Sequence, residues 1–218
     1  MNASDHGTHS HHVLSDGCLW RPEMYELLYF SGGRGAPFRY SPDYATDGTL
    51  FTIGGEPVRL LGQVRTILRE LYTDIATWGD VQVGISSRTD QPDWARELLH
   101  KFTITVRAEQ EGTPGAESFA LIDVFTGPQE IRQDSKVQHF QRISAQTGVA
   151  MSDILFFDNE RGNCNDIAAM GAVVVCSPDG VTSQLWEIGL REFPRAAGQV
   201  LGLDVAPDYK SDYRRTEW

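Results

Sequence analysis

Three separated stretches of the sequence carry side chains suited to holding a phosphate group beside a divalent cation. Ser87 and Arg88 directly follow an apolar run, and Asp158 ends another. Lys136 stands where a helix is predicted to begin. Phosphoryl transfer requires positive and hydrogen-bonding groups aimed at the phosphate oxygens, and Mg²⁺ requires hard oxygen ligands such as carboxylates. These residue types therefore predict phosphate chemistry if the fold brings them together.

An alternation of strands and helices is predicted to position these side chains. Short apolar runs at 81–85, 154–157 and 172–176 are typical of parallel strands buried on both faces. Strands and helices that alternate at this spacing predict an α/β fold with a parallel sheet and right-handed crossovers. Helices are predicted at 91–101, from Asp134 or Ser135 to near Gly148, at 163–170 and at 180–190.

Polar residues stand directly after the apolar runs. Because the active site of a parallel α/β sheet lies at the carboxyl ends of its strands, these positions are candidates for function. No G-x-G-x-x-G or P-loop pattern occurs, so a dinucleotide or P-loop nucleotide site has no support. The candidates are Ser86, Ser87, Arg88, Asp158, Asn159, Glu160 and Ser177.

Three further elements are predicted elsewhere in the chain. Alternating residues at 49–53, followed by two glycines, predict a short hairpin. Apolar residues between Val58 and Leu71 recur at helical spacing and predict a helix. The run 119–125 predicts another strand.

The composition limits the kinds of partner the protein can have. The 218 residues include 19 basic and 30 acidic side chains, which give a formal charge of −11. One domain is expected at this length. So acidic a surface should repel nucleic acid and anionic lipid. No apolar stretch approaches the ~18 residues of a membrane span, and the first dozen residues lack the apolar segment of a secretory signal. A cytoplasmic protein is therefore predicted.

The three cysteines are an odd number and stand far apart, at Cys18, Cys164 and Cys176. No C-x-x-C pattern occurs, so neither a disulfide framework nor a cysteine zinc site is predicted. We expect reduced thiols.

Four of the six histidines, His6, His9, His11 and His12, lie in the first twelve residues. Such a cluster can bind transition metals, and the alternative is a flexible tail without a native ligand. We expect a disordered tail over 1–12, one folded domain over 13–203 and a polar tail over 204–218.

Three segments together resemble a known family. They are DGCLW, ISSRTDQPDWARELLHKFTI and DSKVQHFQRISAQTGVAMSDILFFDNERGNCNDIAAMGAVVV. They resemble the magnesium-dependent phosphatases of the haloacid dehalogenase (HAD) superfamily. The resemblance covers residues 16–20 and most of 81–193, with an insertion around 105–120.

The resemblance implies a Rossmann-like parallel sheet with at most a small hairpin as its cap. It implies Mg²⁺-dependent hydrolysis of a phosphomonoester through an aspartyl-phosphate. A nearly capless site implies a phosphorylated protein, phosphotyrosine in particular, or a phosphosugar as substrate. A monomer without nucleic-acid or membrane partners is expected.

The resemblance also implies roles for residues in the first three motifs. Asp16 matches the general acid/base, whose backbone carbonyl also binds Mg²⁺. Ser87 and Arg88 match the phosphate-binding motif. Lys136 would balance the charge of the phosphate and the carboxylates.

The fourth motif carries the implied metal ligand, Asp158. The family usually has a second aspartate where this chain has Asn159, which lowers the negative charge of the site. Asn163 matches the asparagine that ends the motif and would support the lysine or a metal-bound water.

The chain departs from the family at Leu14, which stands at the nucleophile position. A leucine side chain can neither attack phosphorus nor bind a metal. The preceding residues are polar and rich in histidine, which predicts a poor central strand. Two alternatives follow: a phosphatase whose first segment is garbled in this sequence, or a non-catalytic relative that binds phosphate or protein.

Overall fold

The computed structural model describes residues 11–14, 16–61 and 63–205. The strands are β1 (His11–Leu14), β2 (Trp20–Arg21), β3 (Arg39–Tyr40), β4 (Leu50–Phe51), β5 (Pro57–Leu60), β6 (Gln82–Ser87), β7 (Thr103–Thr105), β8 (Ser118–Ala120), β9 (Gln129–Ile131), β10 (Ile154–Asp158), β11 (Val173–Cys176) and β12 (Val200–Leu201). The helices are α1 (Met24–Phe30), α2 (Tyr44–Asp47), α3 (Val64–Thr73), α4 (Ile75–Trp78), α5 (Pro92–Lys101), α6 (Lys136–Thr147), α7 (Arg161–Ala169) and α8 (Ser183–Glu192).

Six strands form a central sheet in the order β12-β11-β10-β1-β6-β9. Every neighbouring pair in it is parallel. Helices connect these strands, as parallel pairing requires. The predicted α/β fold with a Rossmann-like parallel sheet is therefore confirmed.

The sheet has an apolar layer on each face. Residues one position apart along a strand point to opposite faces, so each buried strand supplies both layers. Leu14 and Phe157 belong to one layer, and Val13 and Phe156 belong to the other. No described helix combines the length and apolar character needed to cross a membrane.

The central strand β1 differs from expectation. The polar stretch before Asp16 predicts a poor central strand, yet β1 lies between β6 and β10. Leu14 is in register with Ile85 on one side and Phe157 on the other. Hydrogen bonds to two neighbouring strands can satisfy the backbone polar groups of so short a strand. Its two apolar residues, Val13 and Leu14, contribute one side chain to each apolar layer.

The expected boundary after His12 falls inside β1, because the strand begins at His11. The remainder of the predicted histidine-rich tail, with His6 and His9, lies outside the described residues. The polar tail expected from residue 204 lies outside them beyond residue 205.

The segment between β1 and β6 holds more than the small hairpin expected there. The predicted hairpin exists, because β4 and β5 pair antiparallel around the two glycines. Strands β2 and β3 extend it to a four-stranded antiparallel sheet in the order β2-β5-β4-β3. The fully buried Trp20 of β2 anchors this sheet in the core.

Two predicted elements were wrong. The helix predicted from Val58 begins only at Val64, because 57–60 alternates exposed and buried residues and pairs as β5. The strand predicted over 119–125 ends at Ala120 and continues as a 3₁₀ helix, Leu121–Val124. Its buried Leu121 and Val124 stand three residues apart, the 3₁₀ repeat.

Candidate functional site

The carboxyl ends of three neighbouring strands meet at one edge of the central sheet. β1 ends at Leu14, β6 ends at Ser87 and β10 ends at Asp158. Helix α6 brings Lys136 to the same edge as its first residue. Ser135 caps this helix by accepting a hydrogen bond from the Gln138 amide at 3.2 Å.

Lys136 and Asp158 form a buried ion pair at this edge. The Lys136 Nζ lies 3.2 Å from the Asp158 Oδ2, and both side chains are almost fully buried. The Lys136 ammonium also donates a hydrogen bond to the carbonyl of Ser86. The lysine charge is therefore held beside the end of β6, where the sequence places the phosphate-binding residues.

Asp158 keeps one oxygen open to a further ligand. Its Oδ1 accepts hydrogen bonds from the Glu160 amide at 2.7 Å and from the Asn163 Nδ2 at 3.1 Å. Its buried Oδ2 accepts no hydrogen bond of normal geometry from any described residue and faces Lys136 only as an ion pair. A buried carboxylate oxygen with unused acceptor capacity fits a hard divalent cation.

The phosphate-binding candidates on β6 lie next to this pair. Ser87 is fully buried, and its Oγ accepts a hydrogen bond from the Thr89 amide at 3.3 Å. Arg88 donates to the Asn163 Oδ1 at 2.9 Å and approaches the Glu160 carboxylate at 3.7 Å. Asn163 therefore connects the arginine of one strand end to the aspartate of the other.

A cavity of about 200 Å³ opens at this edge. Its lining includes Arg88, Lys136 and Asn163, together with Met24 and Tyr25 of helix α1. A cavity of this size admits a phosphate group with part of its leaving group. The sequence did not predict that helix α1 lines this cavity, because the residues of α1 belong to none of the motifs.

The first motif is described only in part. Asp16 begins a 3₁₀ helix, Asp16–Cys18, but its side chain lies outside the described structure. Leu14 is 2% exposed and packs in the apolar core. Among the described residues, no group of three or more histidine, cysteine or acidic side chains forms a metal cluster.

Asn159 makes its contact away from Asp158. Its Nδ2 donates to the Glu23 Oε1 at 3.0 Å. Its side chain also lies against Gly17, where an added Cβ would come within 2.8 Å of the Asn159 Cγ. Glu23 is a site residue that sequence reasoning missed, since it belongs to no motif.

His139 is a second residue whose placement the sequence did not reveal. It is fully buried, and its Nε2 lies 3.1 Å from the Arg132 carbonyl, which can only accept. The Nε2 therefore carries the proton, and the Nδ1 accepts a hydrogen bond from the Ser86 hydroxyl at 2.9 Å. Burial, with the positive charges of Lys136 and Arg142, lowers the pKa of His139 to about 4. The indication available in the sequence was that His139 follows Lys136 by three residues in the same predicted helix.

The cysteines and Ser177 surround the strand end that carries Asp158. All three cysteines are free, as the sequence predicted, and all three are buried. The Cys164 thiol donates to the Asp158 carbonyl at 3.5 Å, and burial raises the pKa of Cys164 and of Cys18. The Ser177 amide donates to the same carbonyl at 2.8 Å. These residues hold the backbone of the site.

The sequence profile of the acid phosphatase family matches residues 15–196. The chain belongs to the acid phosphatase family. Human Magnesium-dependent phosphatase 1 is 30% identical over 152 residues, which cover 70% of this chain and 73% of that protein. A HAD-like hydrolase superfamily protein of Schizosaccharomyces pombe is 26% identical over 128 residues, which cover 59% of this chain and 65% of that protein. The resemblance to the magnesium-dependent phosphatases of the HAD superfamily is therefore confirmed.

Proposed function

We propose that this site is that of a Mg²⁺-dependent phosphomonoester hydrolase of the HAD type, in which Leu14 blocks the first chemical step. The observation that carries the proposal is the buried pair of Lys136 and Asp158, with an Asp158 Oδ2 that accepts no hydrogen bond from the described residues. Such a pair places a fixed positive charge beside an available metal ligand, which is the arrangement that phosphate binding with a cation requires.

Different residues of the site would bind the phosphate anion and the cation. Ser87, Arg88 and Lys136 would hold the phosphate oxygens, the arginine as a two-pronged donor. Asp158 and the backbone carbonyl of Asp16 would hold Mg²⁺, with Asn163 in support. When bound, the cation would offset negative charge on the phosphate oxygens. The Asp16 side chain would act as general acid/base.

The residue at position 14 determines whether the chain can hydrolyse a phosphomonoester. The family reaction begins with attack of an aspartate oxygen on phosphorus, which breaks the bond to the leaving-group oxygen. A leucine side chain has no lone pair for this attack. The chain as given would therefore bind a phosphomonoester without hydrolysing it, which is the non-catalytic alternative.

The substrate we propose is a phosphorylated protein side chain, phosphotyrosine in particular, or a phosphosugar. The support is the open cavity and Tyr25 on its wall, whose side chain is 61% exposed. The cytoplasmic location and the monomeric state stay predictions.

The decisive experiment is hydrolysis of p-nitrophenyl phosphate with and without Mg²⁺. We expect background rates for the chain as given and for Leu14→Asn, and at least about a thousandfold gain for Leu14→Asp, since nucleophilic groups supply factors of this order. Circular dichroism checks that each variant folds. Calorimetric titration with inorganic phosphate and Mg²⁺ checks binding.

Each other result has a clear meaning. Full activity of the unmodified chain would refute the nucleophile assignment at Leu14. A folded Leu14→Asp variant that binds phosphate but stays inactive would favour the non-catalytic relative. Absence of phosphate binding in every variant would refute the site itself.

The metal assignment has its own test in the Leu14→Asp background. Asp158→Ala should remove the response to Mg²⁺, because it deletes the open carboxylate oxygen. The rate and a titration with Mg²⁺ alone measure this loss. A retained response to Mg²⁺ would show that Asp158 is not the ligand.

A further inference from the structure

The segment at the start of helix α1, which lines the cavity with Glu23, Met24 and Tyr25, is tied to the strand end that carries Asp158. The tie is the hydrogen bond from the Asn159 Nδ2 to the Glu23 Oε1, at 3.0 Å. These residues are 136 positions apart in the chain, and Glu23 is followed directly by helix α1. The bond therefore joins the end of β10 to the start of helix α1, two segments that are far apart in the sequence.

Glu23 is itself fixed on both sides. The Arg21 guanidinium contacts its Oε1, and the second amino group of Arg21 donates to the Pro178 carbonyl at 3.3 Å. The Glu23 amide donates to the Glu26 carboxylate at 2.7 Å, within the first turn of α1. A shift of Glu23 would therefore carry the start of α1, with Met24 and Tyr25, away from the cavity.

Asn159 has little freedom to choose another partner. Its side chain lies so close to Gly17 that any larger residue at 17 would collide with it. An aspartate at 159 would direct a carboxylate at the Glu23 carboxylate, where the amide now donates. Like charges in contact repel, so the residue type at 159 is matched to the glutamate at 23.

We propose that Asn159 is a positioning residue that latches helix α1 over the phosphate cavity through Glu23. This hydrogen bond positions the part of the cavity wall that would contact the leaving group. It does not position the side chains that would contact the phosphate. It thus sets selectivity between bare phosphate and phosphate esters. The identity of the ligand rests on the proposed function, whereas the latch rests on the contacts alone.

The test uses hydrogen–deuterium exchange over 22–30 and calorimetric titration with two probes, inorganic phosphate and phenylphosphonate, in the presence of Mg²⁺. Asn159→Asp should speed exchange over 22–30 at least severalfold. It should weaken phenylphosphonate binding about tenfold more than phosphate binding. Glu23→Gln should leave exchange unchanged, because the glutamine carbonyl still accepts from Asn159.

The double variant Asn159→Asp with Glu23→Gln is the decisive case. There the glutamine nitrogen introduced at position 23 can donate to the carboxylate introduced at position 159 while the glutamine oxygen accepts from Arg21, so slow exchange and the selectivity for phenylphosphonate should both return. Gln133→Glu is the matched control, since it adds the same charge to the cavity wall, where Gln133 stands exposed. It should leave exchange over 22–30 unchanged.

Two results would overturn the latch. One is fast exchange and lost selectivity that persist in the double variant, which would assign the effect to the charge at 159 alone. The other is exchange over 22–30 that Asn159→Asp does not change. If no variant binds either probe, the proposed function fails, while the exchange data still decide the latch.

Discussion

At the scale of single residues, the site depends on charges that are buried and paired. Lys136 and Asp158 lie in the interior, where an unpaired charge is strongly destabilising. His139 extends this network by accepting from the Ser86 hydroxyl, while the Ser86 carbonyl accepts from Lys136. The neutral form of the histidine is the one that fits, because its neighbours include Lys136 and Arg142.

His139 should make stability depend on pH. Its pKa is lowered to about 4 from an unfolded value of 6.5, so the unfolded chain takes up the proton first as pH falls. The free energy of unfolding should therefore drop between about pH 6.5 and pH 4, by up to about 3 kcal/mol from this group. Urea unfolding across this range measures the drop.

His139→Gln should flatten that part of the curve, since glutamine keeps one donor and one acceptor but does not titrate in this range. His100→Gln, on the exposed side of α5, is the control and should keep the original slope. Equal slopes in both variants would contradict the assignment.

At the scale of elements, short helix and strand ends place the chemistry. Helix α6 begins at Lys136 because Ser135 caps it, and it ends at Thr147 because the next residue, Gly148, has a left-handed φ of 73°. Strand β10 ends at Asp158, and the Glu160 amide turns back onto its Oδ1. These ends were the most predictable parts of the site.

The cap of α6 should influence both stability and the lysine. Ser135→Ala removes the acceptor of the Gln138 amide and should cost about 1 kcal/mol of unfolding free energy in urea. Inorganic phosphate should bind more weakly, because the first turn holds Lys136. Ser135→Asp, which restores an acceptor at the cap, should recover stability. Stability that stays low in Ser135→Asp would argue against the cap.

At the scale of the whole molecule, β1 joins the two halves of the central sheet. It lies between β6 and β9 on one side and β10, β11 and β12 on the other. Four residues make this connection in the part of the chain that the structure describes, and Val13 and Leu14 supply its apolar contacts there. The cohesion of the fold therefore depends on a strand with little apolar area.

Val13→Ala should cost about 2–3 kcal/mol, because it leaves a cavity at a fully buried position. Guanidinium unfolding followed by tryptophan fluorescence and far-ultraviolet circular dichroism measures this, and the two curves should coincide. Ile75→Ala is the control, because Ile75 is 73% exposed and its loss should cost less than about 0.5 kcal/mol. Separate transitions for the two halves of the sheet would contradict the role of β1.

The sequence alone determined the α/β class and most of the strand ends that carry the site. Ser87 and Asp158 could be named because apolar runs that end in polar residues are local signals, whereas the role of Lys136 came from the resemblance to the family. The same reasoning failed for Val58, where strand pairing with β4 outweighed a helical spacing.

Only the tertiary structure decided which distant residues meet. The contact of Asn159 with Glu23, the hydrogen bond of His139 with Ser86 and the central place of β1 all join segments that the sequence leaves unrelated. Such contacts follow from strand order, and strand order depends on the packing of the complete sheet. No local pattern of residues encodes it.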